Sequence, residues 1–207
     1  FENVTFGYSG EKLIFNNFNM IIKKGTKIGI FGRSGIGKST LFDLLAGISI
    51  PLKGKILIDD NDLKNYIPSW QSILGYTHQN TMILDDTIEN NIAIGDEIIE
   101  EDRLEKVIKI ANLQEFIIDL EEGTKTRISE SGNNISGGQK QRIGIARTLY
   151  KNPDILIFDE VFNSLDKNST EKILFNLNSF YKEKTMLFIS HDLSLKKYCD
   201  QIIDLNN

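Results

Sequence analysis

A glycine-rich segment at residues 32–40 constrains the fold of this chain more than any other feature. Its sequence, GRSGIGKST, fits the pattern G-x-x-x-x-G-K-[ST] of the phosphate-binding P-loop. The largely apolar run before it, Lys27–Phe31, predicts a buried strand, and the run after it, Leu41–Ala46, predicts a helix. Strand, glycine loop and helix in this order form the context that supports the pattern. The sequence therefore predicts a polyphosphate site at the end of that strand.

The residue types in this loop explain how it would hold phosphate. Glycines let the backbone turn tightly enough for its N–H groups to point at an anion, and the following helix N-terminus adds about half a positive charge. Lys38 is expected to reach the β- and γ-phosphates, and the Ser39 hydroxyl is expected to bind Mg²⁺. A glycine-rich turn without a ligand is the alternative, disfavoured because Lys and Ser are both in place. The predicted phosphate-binding residues are Gly32, Arg33, Ser34, Gly35, Ile36, Gly37, Lys38, Ser39 and Thr40.

Composition limits the class of protein. The chain has 207 residues, of which 40% are hydrophobic and 26% charged, enough for one sizeable globular core. Its net charge of -5 argues against a general nucleic-acid binder, because phosphate backbones select for clustered Lys and Arg. The single Cys199 cannot form an internal disulfide, and a buried thiol without chemistry is the simpler interpretation.

No transmembrane helix and no signal peptide is visible in the sequence. The chain starts at Phe1, inside a predicted strand and without an initiator Met, and it ends soon after another predicted strand, Gln201–Leu205. We therefore expect a domain excised from a longer protein.

The order of predicted elements indicates an α/β fold with a mostly parallel core sheet. Early extended segments at 1–6, 13–22 and 54–60 predict an antiparallel layer beside that core. From Thr87 to about Leu120 apolar residues recur at helical spacing, which predicts helices over 102–112 and 113–120 in an all-helical insertion that runs up to Asn134.

A further helix is expected to begin near Ser136, which can cap it, and to continue through Leu149. Together with the insertion it defines a helical subdomain over about residues 80–145.

Two predicted strands end in reactive side chains, Asp159-Glu160 after the first and His191 after the second. Ligand sites in parallel sheets lie at the carboxyl ends of strands, so these side chains and the P-loop can converge on one phosphate. Four hydrophobic residues followed by Asp159 form a Walker B pattern, in which the acid holds Mg²⁺ directly or through water. Glu160 is placed to orient and deprotonate the attacking water. A solvated acidic turn is the less favoured alternative.

The segment NISGGQ at residues 134–139 identifies a family. With the P-loop upstream and Asp159-Glu160 downstream, the chain resembles an ATP-binding cassette ATPase, the nucleotide-binding domain of ABC transporters. The family signature is Leu-Ser-Gly-Gly-Gln, in which Ile135 replaces Leu here. A serine and two glycines at a helix N-terminus can bind a γ-phosphate. The resemblance implies that four signature residues complete the ATP site of a second, head-to-tail copy. They are Ser136, Gly137, Gly138 and Gln139.

The resemblance covers essentially the whole chain and implies further roles. Tyr8 would stack on adenine, with a core strand residue as the alternative. Gln79 matches the Q-loop glutamine, which contacts Mg²⁺ and the attacking water and senses the transmembrane partner. Asp166 matches the D-loop aspartate that crosses the dimer interface, and His191 matches the switch histidine at the γ-phosphate, with a structural histidine as the alternative.

Besides Ile135, three residues depart from the family pattern. Phe162 and Asn163 differ from the run that the family more often shows before the D-loop aspartate. His78 stands where the family often has Pro, and we expect it at the surface.

Two stretches resemble exporters. Leu84–Ile92 is similar to the segment after the Q-loop in exporters, and Ser129–Gly132 resembles the exporter X-loop, where Glu130 would touch coupling helices of the membrane domain. A polar loop is the alternative for the second stretch. The resemblance implies an exporter or flippase ATPase domain at the cytoplasmic face of the inner membrane, with a transmembrane domain on the missing N-terminal part of the full-length chain. Two copies would sandwich two Mg·ATP.

A soluble ABC ATPase that acts on nucleic acid or ribosomes is the alternative function. Such proteins usually carry two cassettes or long coiled-coil insertions, neither of which is visible in this sequence, and the acidic balance gives no reason to expect a nucleic-acid partner. A P-loop kinase or GTPase is disfavoured by the signature and by the paired Asp-Glu.

Overall fold

The computed structural model describes residues 1–8, 12–129 and 134–206. The strands are β1 (Glu2–Phe6), β2 (Phe15–Phe18), β3 (Lys27–Phe31), β4 (Lys53–Lys55), β5 (Leu57–Ile58), β6 (Asn61–Asp62), β7 (Leu74–Thr77), β8 (Asp86–Thr87), β9 (Arg127–Ile128), β10 (Ile155–Asp159), β11 (Thr185–Ser190) and β12 (Gln201–Asp204). The α-helices are α1 (Lys38–Leu45), α2 (Ile67–Ser72), α3 (Ile88–Ile92), α4 (Glu101–Ile110), α5 (Gln114–Ile118), α6 (Gly137–Tyr150) and α7 (Lys167–Phe180). Short 3₁₀ helices lie at Leu63–Asn65, Gly123–Lys125, Val161–Ser164 and Leu193–Tyr198.

The chain divides into two compact units. The first unit consists of Phe1–Leu74 and Thr185–Asn207, and the second consists of Gly75–Lys184. In the first unit, β1 pairs in antiparallel fashion with β2 and β4, which confirms the predicted antiparallel layer. In the same unit, β3 lies between β11 and β12 and is parallel to both, which confirms the predicted parallel core.

The register of these parallel strands brings their carboxyl ends together. All residues of β3 and β11 are buried, as their largely apolar sequences predict for strands covered on both faces. Ser190 pairs with Phe31, and Asp204 on the other side pairs with the same residue. The residues that follow the three strands therefore leave the sheet at one edge, and among them are the P-loop and His191.

The prediction of one continuous strand over 54–60 is wrong, because the structure has two short strands there. Lys53–Lys55 pairs with β1, whereas Leu57–Ile58 pairs with β6 in a separate hairpin. Asp59 and Asp60 form the hairpin turn with φ of 46° and 67°, the left-handed conformation that Asp tolerates better than most residues. The extended segment predicted over 13–22 contains a strand only at Phe15–Phe18.

In the second unit, helix α6 packs against α3 and α4, and α4 also contacts α7. The predicted helices over 102–112 and 113–120 correspond to α4, which begins one residue earlier and ends two residues earlier, and to α5, which is shorter at both ends. The expectation of an all-helical insertion up to Asn134 is wrong, because Asp86–Thr87 and Arg127–Ile128 pair as short antiparallel strands. Along the part of the chain that the structure describes, no helix combines the length and apolar character needed to span a membrane.

Candidate functional site

The loop between β3 and α1 is exposed to solvent over most of its length. Helix α1 begins at Lys38, three residues before the predicted start, and its N-cap Gly37 has φ 112°. No side chain of the described residues caps this helix. Residues 33–36 are exposed, and Gly35 is also left-handed, with φ 78°. An uncapped helix N-terminus below an exposed glycine loop is suited to binding an anion.

The Lys38 side chain curls back into this loop. Its ammonium donates to the carbonyl oxygens of Gly32 at 2.7 Å and Arg33 at 3.2 Å, and the residue is only 9% exposed. These contacts fix a full positive charge beside the N–H groups of the loop. Charge-assisted hydrogen bonds are about twice as strong as neutral ones, so the ammonium is well suited to the predicted contact with phosphate, which stays a prediction.

Tyr8 lies beside α1 with its ring partly open to solvent. Its hydroxyl donates to Asp43 Oδ2 at 3.2 Å and lies 3.4 Å from Thr40 Oγ1, while its ring packs edge-on against Phe6. The residue is 45% exposed, so the alternative of a core strand residue is wrong. An exposed ring held by its hydroxyl is available for stacking, and adenine stacking stays a prediction.

His191 follows the buried Ser190 and is itself exposed. The next residue is fixed by two contacts, because Asp192 N–H donates to Ser190 Oγ at 3.0 Å and the Asp192 carboxylate accepts the Ser194 N–H at 2.8 Å. Hydrogen bonds from Ser194 hold the pKa of Asp192 below its ordinary value. These hydrogen bonds hold the backbone that follows His191 in place. It lies at the same edge of the sheet as the P-loop.

Sequence reasoning missed Asn206 at this edge. Its Oδ1 accepts the backbone N–H of Arg33 at 3.1 Å, and its amide nitrogen donates to Asp204 Oδ1 at 2.7 Å. The signal that could have found it is the predicted strand 201–205, whose carboxyl end must lie near those of its parallel neighbours.

Asp159 ends β10 in the second unit as a buried, oriented carboxylate. It is 8% exposed, and its Oδ2 accepts the Tyr76 hydroxyl at 2.8 Å. Tyr76 was not predicted as a site residue. Strand β7, which carries it, lies next to β10, so this contact also brings the Q-loop strand to the Walker B carboxylate.

Glu160 has a left-handed backbone, with φ 53°. Such a conformation costs a non-glycine residue about 1–3 kcal/mol and clusters at functional sites. Its Oε2 accepts a hydrogen bond from Asn163 Nδ2, one of the residues that depart from the family pattern. This contact ties the glutamate side chain to the turn that follows β10.

The predicted cap of α6 is confirmed. Ser136 Oγ accepts the Gln139 N–H at 3.2 Å, and Gln139 Oε1 accepts the Ser136 N–H at 2.7 Å, which forms a capping box. Gly137 is exposed, and no described atom outside the helix backbone lies within 4 Å of the position that a Cβ would occupy. The signature thus forms an open helix tip on the second unit.

The remaining candidates are also placed on this unit. Gln79 is exposed just after β7, and His78 is at the surface as expected. Asp166 caps α7 by accepting the Ser169 N–H at 2.9 Å, and hydrogen bonds to Ser169 lower its pKa. Glu130 lies outside the described residues.

The structure therefore forms two sets of candidates. The first unit holds Tyr8, the P-loop and His191, and the second holds Gln79, Asp159, Glu160, the signature and Asp166.

Comparisons with known proteins agree on one family. A family model described as ABC transporter matches residues 15–163. The chain is 42% identical over 209 residues to the alpha-hemolysin translocation ATP-binding protein of Escherichia coli O157:H7, covering 100% of this chain and 30% of that protein. It is also 42% identical over 205 residues to the toxin RTX-I translocation ATP-binding protein of Actinobacillus pleuropneumoniae, covering 98% and 29%. The chain thus spans less than a third of the length of these relatives.

A solved structure gives the same indication. A bacterial Atm1-family ABC exporter with ATP bound matches with a TM-score of 0.92 and 36% sequence identity, over 99% of this chain and 36% of that one.

Proposed function

This chain belongs to the ABC transporter family, whose ATP-binding proteins are ATPases, and we propose that it is the ATP-hydrolysing domain of an ABC exporter or flippase. The observation that carries the proposal is the match of 99% of the chain to an exporter that binds ATP. The curated relatives named above are translocation proteins. Together with the net charge of -5, this favours export over a soluble ATPase acting on nucleic acid or ribosomes.

ATP binding would begin at the first unit. The loop N–H groups and the Lys38 ammonium bind the phosphates, and Tyr8 stacks on adenine. His191 leaves the sheet at the same edge as this loop and contacts the γ-phosphate. The geometry supports these roles because the helix N-terminus is uncapped and the lysine is already held inside the loop.

The donor types of the three proposed metal residues suit Mg²⁺. Ser39, Gln79 and Asp159 offer a hydroxyl, an amide and a carboxylate oxygen, which are the hard donors that Mg²⁺ prefers. The Tyr76 hydroxyl fixes the orientation of the Asp159 carboxylate. Water and phosphate oxygens would complete the coordination, as is common for Mg²⁺. When bound, the ion would neutralise charge on the phosphates.

Hydrolysis would use the carboxylate of Glu160. A water molecule attacks the γ-phosphorus, its proton passes to Glu160, and the bond to the β,γ-bridging oxygen breaks to leave ADP and phosphate. Lys38 and His191 offset the charge that develops on the transferred oxygens, and Gln79 orients the water. Glu160 lies in a strained turn, and its carboxylate accepts a hydrogen bond from Asn163. Both features give the proposed base a defined position.

Two copies would form the working unit, with two ATP molecules between them. Residues 136–139 of one copy close the site on the other, and Asp166 lies at the interface. The exposed signature tip supports this arrangement, because its glycine N-terminus has room for a phosphate.

The domain would act with a transmembrane domain on the N-terminal part of the full-length chain, at the cytoplasmic face of the inner membrane. Contacts to that domain would come from the Gln79 and Glu130 regions, within or next to a helical subdomain of about residues 80–145.

The test is the Glu160→Gln variant of the full-length protein. Removing the base is expected to lower phosphate release by about 10²–10⁴-fold. ATP binding should persist, and a dimer that contains ATP should accumulate, measured by nucleotide binding and light scattering. Glu183→Gln is the matched control, because Glu183 is an exposed carboxylate outside the proposed site.

Hydrolysis by Glu160→Gln at the parent rate would show that the base is misassigned. A phosphorylated acceptor in place of free phosphate would indicate a kinase.

A further inference from the structure

One face of α6 makes hydrogen bonds and packing contacts with the segment that follows β7. Gln141 is 3% exposed, and its amide nitrogen donates to the His78 carbonyl at 2.9 Å. Its amide oxygen accepts the Thr81 hydroxyl at 3.4 Å. A single buried amide thus contacts the chain on both sides of residues 79–80.

The next turn of the helix continues the contact. A Cβ added to Gly144 would lie 2.3 Å from Thr81 Oγ1, so Thr81 rests directly on the helix backbone. Residues 141 and 144 are three apart and therefore lie on the same helix face.

One turn further on, Arg147 donates to the carbonyls of Asn91 at 2.7 Å and Met82 at 2.8 Å. The segment is therefore held on α6 at several points.

Packing alone does not account for a glutamine at position 141. Burying an amide is unfavourable unless both of its polar atoms are hydrogen-bonded, and a leucine or methionine would fill the space without that requirement. Both partners of Gln141 flank Gln79, whose own side chain is exposed. The contacts therefore fix the backbone that carries a glutamine at the surface.

We propose that Gln141 is a positioning residue that fixes Gln79 to the helix whose first turn is the signature. The inference rests on the proposed function and adds a residue to it. When ATP bound by the partner contacts residues 136–139, helix α6 would then determine the position of the Q-loop glutamine. ATP would not need to contact Gln141 itself.

The test is a double-mutant cycle in the purified full-length protein, with Gln141→Met and Gln79→Ala alone and together. Misplacement of a catalytic group by about 1 Å costs up to about 100-fold, so Gln141→Met is expected to lower kcat about 10- to 100-fold with KM within about twofold. In the Gln79→Ala background the same change should cost no more than about twofold, because the group it positions is gone.

Two further variants guard against a folding defect. Thr81→Val keeps the side-chain shape and removes only the hydroxyl that Gln141 accepts, so it should lower kcat about two- to fivefold in the parent and not in Gln79→Ala. Ile145→Val is the control, because Ile145 is a buried neighbour on α6 that no described hydrogen bond links to the Q-loop. Its kcat should match the parent.

Additive losses in the double variant, or an unchanged kcat in Gln141→Met, would overturn the positioning role while the parent remains an ATPase. A parent without ATPase activity, or an active Glu160→Gln, would instead refute the proposed function. The two failures are therefore distinguishable.

Discussion

Replacing Gly137 with alanine separates what the fold requires from what a ligand requires. Gly137 is the first residue of α6, its backbone is outside the left-handed region, and no described atom beyond the helix backbone would lie within 4 Å of a Cβ. In helix interiors, alanine is more favourable than glycine by up to about 1 kcal/mol of helix propensity. Replacing glycine with alanine also lowers the conformational entropy of the unfolded chain, which stabilises the folded state by about 0.4–1 kcal/mol. The variant should therefore be about 0–1 kcal/mol more stable, which raises Tm by about 0–4 °C for a chain of this size.

The proposed dimer gives the opposite result for activity. There the added methyl group faces the γ-phosphate bound by the partner's P-loop. Displacing that phosphate by about 1 Å is expected to cost about 100-fold in rate. Initial ATP binding to the P-loop of a single copy should not change, because the sequence of residues 32–40 is unaltered.

The assay combines thermal unfolding without nucleotide, ATP binding and phosphate release at saturating ATP. Gly123→Ala is the matched control, since Gly123 also has open space around its Cβ but has φ 54°. That variant should lose about 1 kcal/mol of stability and keep its activity. Parent-rate hydrolysis by Gly137→Ala, or a loss of activity explained by a loss of stability, would refute the reasoning.

Three further predictions follow from the first unit. Lys38→Ala should weaken ATP binding roughly 10- to 100-fold in a fluorescent-nucleotide titration, because a charge-assisted hydrogen bond contributes about 1.5–3 kcal/mol; unchanged affinity would discard the phosphate role. Gly35→Ala should lose about 1–2 kcal/mol in urea unfolding from backbone strain alone. Gly37→Ala should lose more, since its φ is 112° and its Cβ would lie 2.6 Å from Ile14 Cγ2; equal losses would contradict the packing argument. Burial raises the pKa of Cys199 to about 11, so alkylation by iodoacetamide at pH 8 should be about 100-fold slower in the folded protein than in urea. The same shift affects the free energy of unfolding. Because the thiol pKa is higher in the folded protein, the contribution of Cys199 to stability is complete below the ordinary thiol pKa and is lost as pH rises towards 11.

The parts of the fold that were predicted correctly have local causes. The runs that form β3 and β11 are largely apolar because both faces of these strands are covered, and their short length favours strands over helices. The start of α6 was predictable because a capping serine and a glutamine three residues later satisfy orphan N–H groups within one turn.

The parts that were missed depend on tertiary placement. Two-residue strands such as Asp86–Thr87 are too short to produce a periodic pattern, so the surrounding helical spacing hid them. The break between β4 and β5 arises from different pairing partners, which sequence alone does not reveal. Asn206 and Gln141 act through contacts to residues 173 and 60–63 positions away, and neither has a motif of its own.

The two glycines Gly137 and Gly144 look alike in the sequence of α6, but different physical reasons require them. Gly144→Ala would bring a Cβ to 2.3 Å and 2.9 Å from the Oγ1 and Cγ2 of Thr81, so overpacking should destabilise the unit by about 1–3 kcal/mol. Thr81→Ala removes both atoms and leaves the nearest Thr81 contact at 3.1 Å, so Thr81→Ala should restore most of the stability lost in Gly144→Ala. Urea unfolding of the two single variants and the double variant measures this coupling, and purely additive losses would contradict it. No such second substitution within the described chain can rescue Gly137→Ala, because nothing in it crowds that position. Under the proposed function, the reason for a glycine at this exposed helix tip would be the ATP bound by the other copy, which needs room there.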